Sequence, residues 1–490
     1  MFTSLTGNSK VLFHFLCGML ATVNFSTLQR YVAYYNFQKR QPALKVTFIQ
    51  TIKDGTILNL NCSLTAKMIT QDATTNPAIT QDAISIKGRI AWLVPYPLQG
   101  SGGHRTIFSH IRNLVNRGHE CHVYIGEDPY QSMEEGALRD VVERFFGPCP
   151  ARIHSGYRVD ERFDLAVATA WWTAEIVARE VAADHKLYFV QDFEPCFNPM
   201  GDYYLKAENS YRQGLIPLTI GRWLSHLLHE CYGSTASFFE FTADSTVYFP
   251  LESVVREQAV CFIYQPEKPR RCPLIGRDTL AIVKHYCPEV TIYTYGSKEV
   301  PEFNFDYTHL GILSLEECNL LYNRCAVGLC LSSSNPSRVP FEMMAAGLPA
   351  VDFYGDNTIY DMPEQGVLLA EKNPSSLAGA IINILQSPTL QEEMGQHGLR
   401  FMRKRQADLE FEQCATIIET ILAGKTTTEG TIPPLYCSIP FSADLSIPPV
   451  PMAPFLSSCH APQPARPDLF QRLCQNRVGR VLKVLWKGYY

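Results

Sequence analysis

The chain has 490 residues, enough for two α/β domains with tails or for three small domains. Hydrophobic residues make up 46% and charged residues 19%, which excludes disorder, collagen and coiled coil for the bulk of the chain. With 43 basic and 48 acidic side chains the net charge is −5, so no nucleic-acid partner is expected, and no apolar run reaches the ~18–20 residues of a membrane span.

Residues 1–86 show no repeating strand–helix rhythm, and no role can be read from them. Val11–Phe25 is apolar behind Lys10, like a weak secretory leader, but His14 interrupts it and no small-residue cleavage site follows. Asn24-Phe-Ser and Asn61-Cys-Ser match the glycosylation triplet, a pattern common by chance. Thr65–Asp82, rich in Thr, Gln, Asp and Ala, reads as a linker. The 16 cysteines are scattered, with no CxxC pair and no Cys/His cluster at zinc spacing; they read as reduced thiols of a cytoplasmic protein.

From Lys87 a rhythm sets in. Arg89–Pro95 is a continuous apolar run, as in a strand buried on both faces. The loop Gly100-Ser-Gly-Gly-His104 follows, and then Ile107, Phe108, Ile111, Leu114 and Val115 share one helical face. Gly118 ends that helix and His119–Gly126 is the next strand. Further strands are predicted at Phe163–Thr169, Leu187–Gln191, Pro217–Gly221 and Ala236–Phe241. The pattern then restarts, with strands at Val260–Tyr264, Val290–Tyr295, Ala326–Leu331 and Pro349–Phe353. Helices are predicted over Leu274–Tyr286, Leu315–Asn323 and Pro340–Ala346. This is an α/β chain of two doubly wound, Rossmann-like domains, 87–255 and 256–390, followed by helices over 391–423. Ten of the 32 prolines fall between Pro433 and Pro467, which predicts an extended linker over 424–468. Residues 469–490 hold five basic and no acidic residues. Phe470, Cys474, Val478, Val481, Leu482 and Leu485 cluster on one side of a helix and Arg472, Arg480, Lys483 and Lys487 on the other, the pattern of a helix lying on an anionic membrane surface.

Three stretches carry chemistry. The glycine loop opens a helix, whose N-terminal N–H groups and dipole favour an anion; its plainer reading is a tight turn. Lys268-Pro-Arg270-Arg271 follows the first strand of the second domain, where three cations can neutralise a diphosphate; the plainer reading is a solvated loop. In Ser332–Val351 a strand ends in a polar loop and a short helix begins with Glu342 in its first turns. That carboxylate can accept from sugar hydroxyls, or simply complement the helix dipole.

These stretches, with Ser101–Ile107, Tyr188–Pro195, Pro199-Met-Gly201, Gln265–Arg271 and Pro340–Gly347, resemble nucleotide-sugar glycosyltransferases of the GT-B fold, family four, and within it the WsaF-like rhamnosyltransferases. The resemblance covers about residues 88–420 and implies two Rossmann-like domains facing a cleft, donor on the second and acceptor on the first, with a helix near 395–420 crossing back. It implies transfer with retention and no catalytic metal, and no Asp-x-Asp motif stands where one would be held. The catalytic candidates are Arg270, Arg271 and Glu342. The donor-binding candidates are Gly102, Gly103, His104, Lys268, Gly296, Ser297, Ser334, Asn335 and Ser337. Gln191, Asp192 and Glu194 are acceptor-side candidates, Asp192 doubling as a structural cap. Two positions depart from the family. Ser334 stands where a first Glu is common, and Gln265 where WsaF-like loops often have Arg. The resulting expectation is a rhamnosyltransferase using dTDP-β-L-rhamnose and a glycan or lipid-linked acceptor in surface-polysaccharide biosynthesis, peripheral on the inner membrane face. The rival readings are a non-catalytic binder on the same fold and a nucleotide-sugar epimerase, for which no paired acid and base are seen.

Overall fold

Short apolar strands alternating with amphipathic helices bury both kinds of element when the strands align in parallel and the helices cover them. The computed structural model describes residues 43–51, 57–65, 87–127, 133–425 and 432–445. The Val11–Phe25 run, the Asn24 triplet and the basic stretch 469–490 lie outside the described residues.

Residues up to Ile84 form a unit of their own, in which β1 (Ala43–Thr51) and β2 (Ile57–Thr65) pair antiparallel with Ala43 opposite Thr65. This ribbon escaped the sequence reading, although Leu58-Asn-Leu-Asn-Cys-Ser-Leu64 alternates with period two.

The first sheet of the second unit is built by β3 (Arg89–Val94), α1 (Gly102–Asn116), β4 (Glu120–Ile125), α2 (Glu135–Phe146), β5 (Arg152–Ser155), β6 (Phe163–Ala168), α3 (Trp171–Arg179), β7 (Ala183–Val190), α4 (Asp202–Ser210), β8 (Ile216–Ile220), α5 (Arg222–Tyr232) and β9 (Ser237–Phe239). The second is built by β10 (Ala259–Ile263), α6 (Pro273–Tyr286), β11 (Thr291–Tyr295), β12 (Thr308–His309), α7 (Leu315–Arg324), β13 (Val327–Leu329), α8 (Val339–Ala345), β14 (Ala350–Phe353), α9 (Asp356–Ile359), β15 (Val367–Ala370), α10 (Pro374–Gln386), α11 (Pro388–Arg403) and α12 (Ala407–Leu422). Both sheets are parallel throughout, in the orders β5-β4-β3-β6-β7-β8-β9 and β12-β11-β10-β13-β14-β15. In each, the chain runs outward from its first strand and then returns to that strand's other side. A crevice therefore opens beyond the carboxyl ends of β3/β6 and of β10/β13.

The strands called from continuous apolar runs are all present; Ile90 to Val94 are fully buried. The strands that were missed, β5, β12 and β15, are sheet edges of four, two and four residues. β5 and β12 have no unbroken apolar run, whereas β15 (Val-Leu-Leu-Ala) has one of only four residues.

Packing across the two sheets is close. Phe241 stacks on Phe341 at 4.7 Å, and Asp361 caps the N-terminus of α5 across the joint, accepting from the Arg222 and Trp223 amides at 2.7 and 3.1 Å. Of the last two helices, α11 packs on α8 and α12 reaches α1 and β9. Residues 432–445 correct the linker reading. They are extended, as their prolines require, but not free. Phe441 bridges Ala370 on the β15 edge, the Leu369 amide donates to the Tyr436 hydroxyl at 3.3 Å, and Phe441 and Leu445 pack on the second core. An apolar side chain every few residues suffices to seat a strand-like strap on an exposed edge.

Candidate functional site

The loops at the two crevices face each other, and the site candidates lie on them. The loop after β3 is anchored by His104. Its Nε2 donates to the Pro95 carbonyl at 3.2 Å, which leaves Nδ1 to accept from the Ser101 hydroxyl at 2.8 Å. The ring stacks on Phe146, and burial pushes its value below the ordinary one. His104 is therefore a neutral fixture of the loop rather than a donor ligand, because both ring nitrogens are occupied. Gly102 and Gly103 instead open α1 bare: a Cβ on Gly102 would meet nothing within 4 Å and one on Gly103 only the Gln191 amide at 3.5 Å. Ser101 caps the His104 N–H, which leaves those of Gly102 and Gly103 as the open donors of the first turn.

Beyond β10 stand the cations. Lys268 is half-buried beside Glu267, and burial, with Arg270 and Arg271 as neighbours, lowers its value. The Arg270 guanidinium lies over the Phe197 ring at 4.4 Å and 3.4 Å from the Asp192 carboxylate. Arg271 has a buried Nη1 without a hydrogen-bond partner. Near it Asp352, on β14, is fully buried and pushed up to about 7, with Arg271 and Lys372 opposing that rise. Asp352 Oδ1 accepts from the Phe353 and Ser332 amides at 2.7 and 3.3 Å, while Oδ2 has no partner.

The acceptor-side candidates divide. Asp192 joins the two domains: it accepts from the Asn335 amide at 2.9 Å and from the Ser334 hydroxyl at 3.2 Å. Asn335 Nδ2 in turn donates to the Gln191 carbonyl at 3.0 Å. Ser334 and Asn335 are buried, so in this closed arrangement they clamp the domains and are not open to a donor sugar, contrary to the sequence expectation. Glu194 is also a correction. It is enclosed in the first domain, accepting from the Tyr188 hydroxyl and the Trp171 amide, both at 2.8 Å, and burial pushes it up to about 7. Only Gln191 presents its side chain to the glycine loop.

The remaining donor candidates sit at the same edge. Gly296, at φ +99°, turns the chain after β11, where a Cβ would strike Ile263 at 2.9 Å. The Ser297 and Ser337 hydroxyls accept from nearby amides, of Glu299 at 3.0 Å and Val339 at 3.3 Å, and so shape their own loops. Glu342, in α8, hydrogen-bonds Tyr248. Burial pushes it up to about 7 against the pull of Arg338 and Arg105. Arg105 was missed as a site residue although it lies within the Ser101–Ile107 motif; it is exposed in the first turn of α1 and reaches Glu342 electrostatically from the opposite domain. No group of three or more His, Cys, Asp or Glu suited to a metal occurs among the described residues.

Residues 148–220 match the family model of the WsaF N-terminal domain, and residues 258–382 that of the WsaF C-terminal domain. Over these two stretches the chain is similar to WsaF. The chain is 29% identical over 334 residues to the O-antigen biosynthesis protein RfbC of Myxococcus xanthus, covering 64% of this chain and 26% of that protein. It thus spans about a quarter of that relative's length. Its body superposes on Anabaena HepE in complex with UDP-glucose with a TM-score of 0.52 at 15% identity, covering 69% of this chain and 100% of HepE. On a Staphylococcus aureus TarM variant the TM-score is 0.53 at 8% identity, covering 67% and 99%. The chain therefore has the GT-B fold, with two Rossmann-like domains.

Proposed function

We propose that the chain is a glycosyltransferase of surface-polysaccharide biosynthesis that moves L-rhamnose from dTDP-β-L-rhamnose to a glycan or lipid-linked acceptor with retention. The observation that carries this reading is the Lys268-Arg270-Arg271 cluster, with its unpartnered Arg271 Nη1, at the carboxyl end of β10 and across from the open N-terminus of α1. An arginine N–H buried without an acceptor is unfavourable, and a diphosphate oxygen removes that penalty. On binding, the diphosphate would take the place of the Asp192 carboxylate beside Arg270.

The protein's part is then positioning and charge stabilisation. Arg270, Arg271 and Lys268 hold the leaving diphosphate, and the first turn of α1 closes over it. Glu342 accepts from the nucleoside sugar hydroxyl. The leaving phosphate takes the acceptor proton, so no protein base is needed. The side-chain cations stand in for a metal, so activity should survive EDTA; complete loss restored by magnesium would overturn that part. The basic stretch 469–490 would hold the enzyme on the membrane near lipid-linked acceptors.

Incubation with labelled dTDP-rhamnose tests the whole. Transfer or slow hydrolysis supports a transferase. A changed sugar means an epimerase, and an untouched donor means a binder.

A further inference from the structure

We propose that the carboxyl-end edge of the first sheet is a stacking shelf for the acceptor's sugar rings, built by Trp171, Trp172, Phe197 and Tyr203 with Leu98 and Met200 at its margin. The inference rests on the transferase reading and adds to it the chemistry of the acceptor: a saccharide presenting apolar C–H ring faces.

The shelf is assembled by topology. Leu98 lies in the loop after β3, Trp171 and Trp172 open α3 just after β6, and Phe197 and Met200 lie in the loop after β7, which leads to Tyr203 in α4. The strands β3, β6 and β7 are neighbours and parallel, so these loops meet at one edge. Large apolar side chains are exposed there: Trp172 is 39% accessible, Phe197 45%, Tyr203 63% and Met200 76%. Apolar surface gathered at one place marks a contact surface.

The rings are held, not loose. The Trp171 amide donates to the buried Glu194 carboxylate, which ties its turn to the β7 loop. Trp171 meets Trp172 edge-on at 5.3 Å and Tyr203 at 6.3 Å. Trp172 Nε1 donates to the Tyr157 hydroxyl at 3.4 Å, so the polar edge of the indole is satisfied within the protein. Polar groups are interleaved, with Asp202 exposed and the Lys206 ammonium over the Tyr203 ring at 5.7 Å. Ring faces bordered by hydrogen-bonding groups complement a sugar, which offers C–H on its faces and hydroxyls at its rim; a lipid surface needs no such rim.

Position decides the occupant. Arg270, a cation of the donor site, covers one side of Phe197. The shelf thus begins where the diphosphate site ends, where an acceptor hydroxyl must lie to meet the donor's anomeric carbon.

The test uses the full chain on a printed array of bacterial polysaccharides, with dTDP binding measured by calorimetry on the same samples. At least one polysaccharide should be retained, Trp172→Ala and Tyr203→Ala should each weaken retention by about tenfold, and Trp172→Phe and Tyr203→Phe should keep most of it. If an alanine variant fails to fold, oxidative footprinting of the wild-type chain gives the same answer, since bound polysaccharide should protect Trp172. No retention, retention equal in the alanine variants, or Trp172-dependent binding to phosphatidylglycerol vesicles in place of glycans would each overturn the shelf. If dTDP binds while every glycan fails, the shelf alone falls; if dTDP also fails, the transferase reading falls with it.

Discussion

A guanidinium whose buried Nη1 has no partner is poised for an anion, and Arg271 is held this way among polar loops rather than in a core. Arg271→Ala should leave the fold intact and lower kcat/KM by a factor equivalent to about 2–4 kcal/mol, as for loss of one charge-stabilising donor; steady-state kinetics on the folded variant checks this. Glu342 offers a pH test. Burial pushes its carboxyl up to about 7, so below that value it is mostly protonated and above it a carboxylate able to accept from a nucleoside hydroxyl. Calorimetry should find dTDP affinity rising between pH 6 and pH 8 in the native chain, and lower and flatter in Glu342→Gln. An identical profile in both would leave Glu342 with a purely structural role in α8.

Among the elements, α12 binds the two domains together through one side chain. Glu410 takes a two-pronged contact from Arg338 at 2.6 and 2.7 Å, lies 3.0 Å from His110 of α1, and accepts from the Thr242 hydroxyl at 2.5 Å. Burial alone would raise this carboxyl, but Arg338 and then His110 hold it well below the usual range. Replacing such a pair whole is often neutral, whereas removing one partner strands the other. Glu410→Ala should therefore destabilise the protein by about 3–5 kcal/mol, read as a lower midpoint in urea. A shift under about 1 kcal/mol would mean that water reaches Arg338 and replaces the carboxylate.

At the scale of the molecule, stability should peak in mild acid. Glu194, Glu342, Asp352 and Asp361 are each pushed up to about 7 by burial. A raised carboxyl contributes stability that is complete below its unfolded value and lost as pH climbs through its folded one. Glu410 and Glu240 are depressed by their arginine partners against the effect of burial; their contribution is present above the ordinary carboxylate value and fades only on strong acidification. The two groups meet at roughly pH 4–5, where the depressed set is complete and the raised set has barely begun to lose its contribution. Thermal unfolding followed from about pH 3 to pH 9 should give the highest Tm near pH 4–5 and a decline towards neutrality; a Tm still climbing at pH 8 would contradict it.

The sequence by itself determined that residues 87–423 make two rounds of strand, glycine turn and helix. Buried parallel strands need unbroken apolar runs, and close turns need glycine. It also placed the cation loop and Glu342, because both follow strands whose ends it could locate. What it could not decide was which polar residues remain open. His104, Glu194, Ser334 and Asn335 occupy the same kind of position as Arg271, at the carboxyl ends of strands, yet each is engaged by partners within the protein. Some of those partners are distant: Asp192 and Asn335 are 143 positions apart, and His110 and Glu410 are 300. Local periodicity records whether a residue is buried but carries no information about what it is buried against. Tertiary structure alone closed the Asp192 clamp, brought Arg105 to Glu342, seated the proline-rich strap on the β15 edge and gathered the aromatic rings of two separate segments onto one edge of the cleft.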